Sequence, residues 1–275
     1  MTMRYLPVRL LFPNPFAVAA MPDLTIDLRR VLAETFVARA EHHPTLGSTN
    51  DRARECLGDG GPTPLLVVAD RQTLGRGRGT NRWWTGPGCL AFSLLLSPET
   101  TPSDPRRRPL VALAAGVAVV DAIRPLVDRQ PIGLHWPNDV FVGDRKLSGV
   151  LVEVPSEGSQ IVGIGVNTNN SLADAPEEIR DGAITLYDLT GRRHDQTGIL
   201  VEILKHFQGA LDQVRACPDA LAARANELCL QIGRTLVIRT GAESATGRCA
   251  GIAPNGALLL DMPDGRREFH GGTLG

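Results

Sequence analysis

The sequence predicts a mixed α/β domain through about Leu230, followed by a small all-β barrel. Three observations predict it. Short apolar runs of strand length, Leu65–Ala69 and Leu90–Leu96, are interleaved with stretches of helical length. Pro109 opens one long apolar helix. Beyond Leu230 the chain changes character, and brief β segments follow one another with Asn255-Gly256 and Asp264-Gly265 in hairpin positions.

Taken in order, apolar spacing after Leu24 predicts a first helix through about Ala40. Ser48 or Thr49 can cap a second helix running through Cys56, with Asp51 in its first turn. Leu65–Ala69 suits a buried strand, and Gln72–Pro87, rich in Gly and Arg, reads as a loop. Leu90–Leu96 is the next strand, and the helix from Pro109 ends near Pro125. Strand-like pieces follow at Gly133–Trp136, Val140–Val142 and Leu147–Val154, separated by Asn138-Asp139 and Gly143-Asp144. Ile161–Val166 is a further strand, and helices are expected at about Ile199–Val214 and Pro218–Leu228. The tail contributes Thr235–Arg239, Ser244–Ile252, Ala257–Asp261 and Arg266–His270 as β segments. The expected division is a leader over 1–22, one large domain over 23–230 and the barrel over 231–275.

Composition bounds the function. The 275 residues carry a formal net charge of −1, so no global basic field draws the chain onto nucleic acid or an anionic membrane. The longest apolar run, Leu110 to Val120, stops at Asp121, far short of a membrane span. Five cysteines, an odd number with no CxxC pair, argue against a disulfide framework or zinc site and fit a reducing cytoplasm. Cys89 is read as a buried thiol rather than a nucleophile. Arg4, Arg9 and Ala17–Ala20 resemble a signal peptide faintly, but Pro7, Pro13 and Pro15 interrupt it. Residues 1–22 are expected to be a disordered leader, or to lie upstream of a true start at Met21.

Four stretches carry chemistry. Gly75-Arg76-Gly77-Arg78-Gly79 combines glycines, which let backbone fold closely around a ligand, with two cations that can pair with phosphate or carboxylate. No Gly-Lys-Ser/Thr follows, so this is not a Walker A loop. The alternative is a solvated Arg-Gly linker of the kind that touches RNA; flanking apolar strands and Trp83-Trp84 speak against it. Trp136-Pro137-Asn138-Asp139, then Arg145-Lys146-Leu147-Ser148-Gly149, reads as a hairpin with Lys146 starting the return strand. Where a carboxylate must approach an α-phosphate, Lys146, Arg76 and Arg78 would offset the repulsion; the alternative for Lys146 is a solvated surface lysine, and for Asn138-Asp139 turn chemistry alone. Ser48-Thr49-Asn50 is a helix cap or a set of hydroxyl and amide groups for a small polar ligand, which Gln72 could join. Gly163-Ile164-Gly165-Val166-Asn167 is a strand end open to close ligand approach, or simply an edge with an Asn turn.

Together these stretches resemble biotin protein ligase. Ser-Thr-Asn, Gln with Gly-Arg-Gly-Arg, Trp-Pro-Asn-Asp, Lys-Leu-x-Gly and Gly-x-Gly-x-Asn occur in the family's order from about Thr45 to Asn167. The resemblance implies a biotin/lipoate ligase-like mixed sheet with an SH3-like barrel behind it, and a two-step reaction. Biotin and ATP form biotinyl-5′-AMP, and a lysine on a biotin carboxyl carrier domain of a carboxylase then takes the biotinyl group. It assigns Ser48, Thr49, Asn50, Gln72, Gly75, Arg76, Gly77, Arg78 and Gly149 to biotin. It assigns Arg76, Arg78, Trp83, Asn138, Asp139, Lys146 and Asn167 to ATP, with Lys146 and Arg78 at the chemistry. Magnesium is implied by ATP, with phosphate oxygens and water rather than a dedicated carboxylate cluster as ligands. The resemblance also implies a cytoplasmic enzyme, with a homodimer through the catalytic sheet open.

The sequence departs from the pattern in three places. Gly79-Thr80-Asn81 stands where many bacterial members continue Arg-Gly-Arg, and His135 stands where many have Lys before Trp-Pro-Asn-Asp. His135 is read as structural. Some 44 residues precede Thr45, so a ligase without an N-terminal DNA-binding domain is expected. The competing readings are a lipoate ligase of the same fold, a non-enzymatic biotin sensor, and an RNA-binding protein, the last lacking an aromatic stacking platform.

Overall fold

In the computed structural model, which describes residues 26–102, 104–128, 130–155 and 158–274, alternation along the strands divides the apolar residues between two faces. The first elements are helix α1 (Leu28–Glu34), strand β1 (Arg39–His43), helix α2 (Thr49–Glu55) and strands β2 (Leu65–Ala69) and β3 (Leu90–Leu96). Helix α3 (Leu110–Ile123) is followed by β4 (Ile132–His135), β5 (Asp139–Val142), β6 (Arg145–Glu153) and β7 (Gln160–Val166). Helices α4 (Glu177–Arg180), α5 (Leu186–Thr190), α6 (Gln196–Ala216) and α7 (Pro218–Leu228) complete the large part. Among the described residues, β1 to β7 form one seven-stranded sheet in the order β1-β2-β3-β7-β6-β5-β4, parallel between β1 and β2 and antiparallel elsewhere.

Leu90, Phe92, Leu94 and Leu96 of β3, with Val162, Ile164 and Val166 of β7, face α3 and α6 in the main core. The opposite face takes Leu95 and Ile161, which pack with Ala53 of α2 and Cys56 just after it in a smaller cluster. That face also receives Ser93, Gly163 and Gly165, by the period of two. The sheet therefore has a greasy side and a side on which polar groups and bare glycines gather.

Helix α3 is buried on all sides, as a helix apolar all round must be. The helical stretch Pro105–Leu126 is long and apolar enough to cross a membrane by length and composition, but its central part, α3, is packed between the sheet and α6, which makes it a core helix.

The helix expected through Ala40 ends at Glu34, and Arg39–His43 is a strand instead. Nothing local marks this. The Ala38 and Arg39 N–H groups both donate to the Pro64 carbonyl, and β1 pairs in register with β2, so a tertiary partner overrides the apolar spacing. The expected 1–22 leader and the start of that helix at Leu24 lie outside the described residues. The other expected strands and helices of the large part occur within a few residues; α4 and α5 had no periodic signal.

The tail folds as β8 (Thr235–Thr240), β9 (Glu243–Ile252), β10 (Leu258–Met262), β11 (Gly265–Phe269) and β12 (Thr273–Leu274), an antiparallel sheet in the order β11-β10-β9-β8-β12. Its core side, with Leu236, Ile238, Cys249 and Leu260, is continuous with the main core. The segment after α7 pairs with the sheet edge, since the Leu230 N–H donates to the Leu134 carbonyl at 3.0 Å. Trp136 fastens the two parts. Its backbone N–H donates to Gln231 Oε1 at 2.7 Å and its indole Nε1 donates to the Gly256 carbonyl at 3.0 Å.

Gln231→Ala removes the acceptor from a buried Trp136 N–H. Unfolding by urea should show a loss of about 1–3 kcal/mol, the cost of a buried donor left without a partner; an unchanged midpoint would mean that the junction is held by apolar contact alone.

Candidate active site

The polar side of the sheet opens into a cleft of about 620 Å³. Its floor is β7. A Cβ on Gly163 would lie 2.2 Å from Asn50 Oδ1, and one on Gly165 would lie 2.3 Å from Trp83 Cε2. These glycines are bare so that α2 and the glycine–arginine segment can lie directly on the strand.

At one end, Ser48, Thr49 and Asn50 open α2 and are all buried. Ser48 occupies the cap position, yet its side chain makes no capping hydrogen bond and lines the cleft instead. Gln72 Oε1 accepts from the Thr49 N–H at 2.8 Å and from Thr49 Oγ1 at 3.1 Å. Asn50 Nδ2 donates to Glu153 Oε2 at 2.8 Å. Beneath them Ser93 Oγ lies 2.7 Å from Thr49 Oγ1 and 2.6 Å from Asn50 Oδ1. Burial pushes the Glu153 carboxyl up, but hydrogen bonds from Asn50 and Arg76 outweigh it and hold the group below the ordinary carboxylate range.

The segment read as a loop is a small hairpin. Trp83 N–H donates to the Gly75 carbonyl at 3.0 Å, Gly77 N–H donates to the Asn81 carbonyl at 2.8 Å, and Arg76 bridges Arg82. A Cβ on Gly75 would meet the Trp83 carbonyl oxygen at 2.4 Å, so that glycine closes the hairpin rather than lining the cleft. Arg76 anchors it, with Nη2 2.7 Å from Asp51 Oδ1 and 2.8 Å from Glu153 Oε2. The tip crosses to the small sheet, where Arg78 Nη2 donates to the Gly272 carbonyl.

The other wall is built by β5 and β6. The pairing slips between Val140 and Phe141, and this bulge sets Phe141 opposite Lys146. On its far side the Lys146 backbone is tied to the Gly182 carbonyl and the Ile184 N–H. Lys146 Nζ lies 2.7 Å from Asp139 Oδ2 and 5.9 Å from the Trp83 ring centroid. The lysine passes over Gly149, whose missing Cβ would stand 3.2 Å from Nζ. Asn138 also lines the cleft, but its Nδ2 donates to the Val150 carbonyl, so its amide braces the turn.

Trp83 and Lys146 also border a second cavity of about 230 Å³ with Asn167 on its wall. The structure thus gathers Ser48, Thr49, Asn50, Gln72, Arg76, Gly77, Arg78, Trp83, Asn138, Asp139, Lys146 and Gly149 in one cleft, with Asn167 next door and Gly75 behind. Sequence reasoning missed Ser93 and Glu153. Ser93 had a signal, the lone hydroxyl in the apolar run Leu90–Leu96; Glu153 had none. His135, read as structural, lines the cleft and stacks on Phe141 with centroids 4.4 Å apart, and burial pushes its imidazole below the ordinary value. Arg239–Gly241 and Gly272–Leu274 of the small sheet complete the wall.

Residues 45–169 match the model of the Biotin/lipoate A/B protein ligase family, and residues 232–273 match that of the biotin protein ligase C terminal domain. The bifunctional ligase/repressor BirA of Bacillus subtilis is 31% identical over 85% of this chain and 72% of its own length. The biotin–[acetyl-CoA-carboxylase] ligase of Paracoccus denitrificans is 30% identical over 80% of this chain and 93% of its own. The structure of biotin protein ligase from Aquifex aeolicus in complex with biotin and ATP superposes with a TM-score of 0.75 at 30% identity, covering 86% of this chain and 98% of that one. Two domain matches in order along the chain, relatives aligned over most of their length and one shared fold lead to the same place: the chain belongs to the biotin protein ligases.

Proposed function

We propose that the chain joins biotin to ATP in this cleft and passes the biotinyl group to a lysine of a biotin carboxyl carrier domain of a biotin-dependent carboxylase. The observation that carries this reading is the division of one cleft into a neutral hydrogen-bonding end and a cationic end. Biotin's ureido ring offers one carbonyl acceptor and two N–H donors, which suit the hydroxyl and amide groups of Ser48, Thr49, Asn50 and Gln72. Its carboxylate tail then reaches toward Lys146, Arg76 and Arg78.

In the first step a biotin carboxylate oxygen attacks the α-phosphorus of ATP, the bond to the β-phosphate breaks, and pyrophosphate leaves. Two anions meet, and Lys146 offsets their repulsion. To do so it exchanges its partner Asp139 for the ligand, a small loss because a partly exposed ion pair is worth little. In the second step the neutral amine of the carrier lysine attacks the carbonyl carbon of the mixed anhydride, AMP leaves, and the nitrogen gives up a proton. Trp83, Asn138, Asp139 and Asn167 serve the nucleotide. Magnesium arrives with ATP as part of the substrate. Triphosphate oxygens and water supply most of its ligands. Free thiols throughout the described residues suit work in a reducing cytoplasm. The matched C-terminal domain supports biotin over lipoate. Pyrophosphate release with ATP and each vitamin in turn tests the reading: biotin alone should drive it, and release with lipoate instead would assign the other activity.

Lys146→Ala should abolish biotin-dependent pyrophosphate exchange while the protein stays folded, because the side chain stands at the cleft wall and not in the core. Exchange at the wild-type rate would remove the lysine from the chemistry.

Arg78→Gly should make biotinyl-AMP but fail to keep it. A charge-assisted hydrogen bond from this side chain contributes roughly 1.5–3 kcal/mol, or about ten- to a hundredfold in retention. The measurement is labelling of an unrelated bystander protein at equal ATP and biotin. A mutant that consumes ATP with biotin yet labels bystanders no more than wild type shows that Arg78 is not the latch.

A further inference from the structure

Strand register lays one row of groups across the polar face of the sheet. His135 of β4 pairs directly with Asp139 of β5, Asp139 with Gly149 of β6, and Gly149 with Gly165 of β7. Directly opposed residues project on the same side. Lys146 stands over Gly149 and Trp83 over Gly165, so the row runs His135, Asp139, Lys146, Trp83. Asn50 stands over Gly163, one pleat along on the same face. The hydrogen-bonding end and Trp83 thus flank Lys146 on two sides, and His135 closes the third, beyond Asp139.

His135 is unlike the other histidines. Among the described residues His42 bonds Asp70 at 2.7 Å, His43 bonds Glu41 at 3.2 Å and His194 bonds Thr190 at 2.8 Å, while His206 and His270 are exposed. The partly buried His135 ring lines the cleft and has no such bond among the described residues. Stacking on Phe141 fixes it instead, with 4.4 Å between centroids and 20° between planes. Its nitrogens are therefore left for a ligand. Burial pushes the imidazole down first of all; Lys146 and Arg234, the latter 3.4 Å from Asp144, act the same way, and Asp139 opposes them. Arg239 of β8 lines the same cleft. The net direction is below the ordinary value, so at neutral pH the ring carries no charge and can accept a proton.

We infer that His135 is a catalytic residue of the second step: its imidazole takes the proton that the carrier lysine nitrogen sheds as it bonds to the carbonyl carbon of biotinyl-AMP. The N–C bond forms, the bond from that carbon to the phosphate oxygen breaks, AMP leaves with the electron pair, and the proton passes from nitrogen to His135. Lys146 has by then turned from Asp139 to the ligand. The freed carboxylate, opposite His135 on the next strand, stabilises the imidazolium that forms. Asp139 is by chemical class the weaker base of the two. The partly exposed ring then returns the proton to water. This role rests on the proposed two-step reaction and adds the base of its second half.

The test mixes the full chain, loaded with biotinyl-AMP, with carrier domain and follows transfer in a single turnover across pH, beside biotin-dependent pyrophosphate exchange. Deprotonation of the amine gives log rate a slope of about one against pH; below the ordinary histidine value the wild-type slope should steepen to about two as His135 takes up its proton. His135→Gln, polar but unable to titrate, should slow transfer about a hundredfold more than exchange, the lower end of what a positioned base contributes, and its slope should stay near one. His135→Ala should regain transfer in proportion to added neutral imidazole. Wild type without the steeper acid limb overturns the inference, however the variants fold. So does an acid limb that survives in His135→Gln, transfer at the wild-type rate in either variant, or a change confined to the carrier concentration that gives half the maximal rate, which would make His135 a docking contact. Wild type that forms no biotinyl-AMP overturns the proposed function, whereas transfer indifferent to His135 overturns this inference alone.

Discussion

The cleft depends on a strand that carries no side chain where two other elements must lie. Strand β7 is a full partner in the sheet, hydrogen-bonded to β3 and β6, yet it is bare at Gly163 and Gly165 on its polar face. Asn50 occupies the first gap and the Trp83 ring the second. Side chains there would push out both α2 and the hairpin, and with them the groups that define the two ends of the cleft. Glycine in a strand interior costs stability, and here the opposite face repays it through Val162, Ile164 and Val166 in the main core.

Once seated, the polar groups hold each other. Ser93, Thr49, Asn50, Gln72, Glu153 and Arg76 form a connected chain of contacts on one face of the sheet. Buried polar groups with partners fix a geometry, whereas unpaired ones destabilise it. The cationic end is built differently. Lys146 rests on the Asp139 carboxylate at a partly exposed position, where an ion pair contributes little. An anion can therefore take over this cation at small cost. One end is a hydrogen-bonded network, while the other is a partly exposed ion pair.

The small sheet belongs to this arrangement physically. Trp136 is hydrogen-bonded to Gln231 and Gly256, so the Trp-Pro-Asn-Asp segment that leads into Asp139 is positioned from both sides. Arg78 reaches the Gly272 carbonyl across the mouth of the cleft. The hairpin tip thus rests on the small sheet.

Much of the site was legible in the sequence because its chemistry is local. Ser48-Thr49-Asn50, the Gly-Arg run, Lys146 and the alternate glycines of β7 each announce themselves by residue type and spacing, and apolar periodicity marked β2, β3, α3 and α6. What the sequence left undecided has one physical cause, dependence on a distant partner. Arg39–His43 is a strand only because β2 and Pro64 lie beside it. Gly75–Trp83 is a hairpin only because Gly75 and Gly77 let the facing backbone of Trp83 and Asn81 come close. Glu153 and Ser93 join the site because strand pairing brings them under α2. The sequence by itself determined which groups could do the chemistry; the tertiary structure decided which of them face one cleft, because pairing register and close approach are set between elements, not within them.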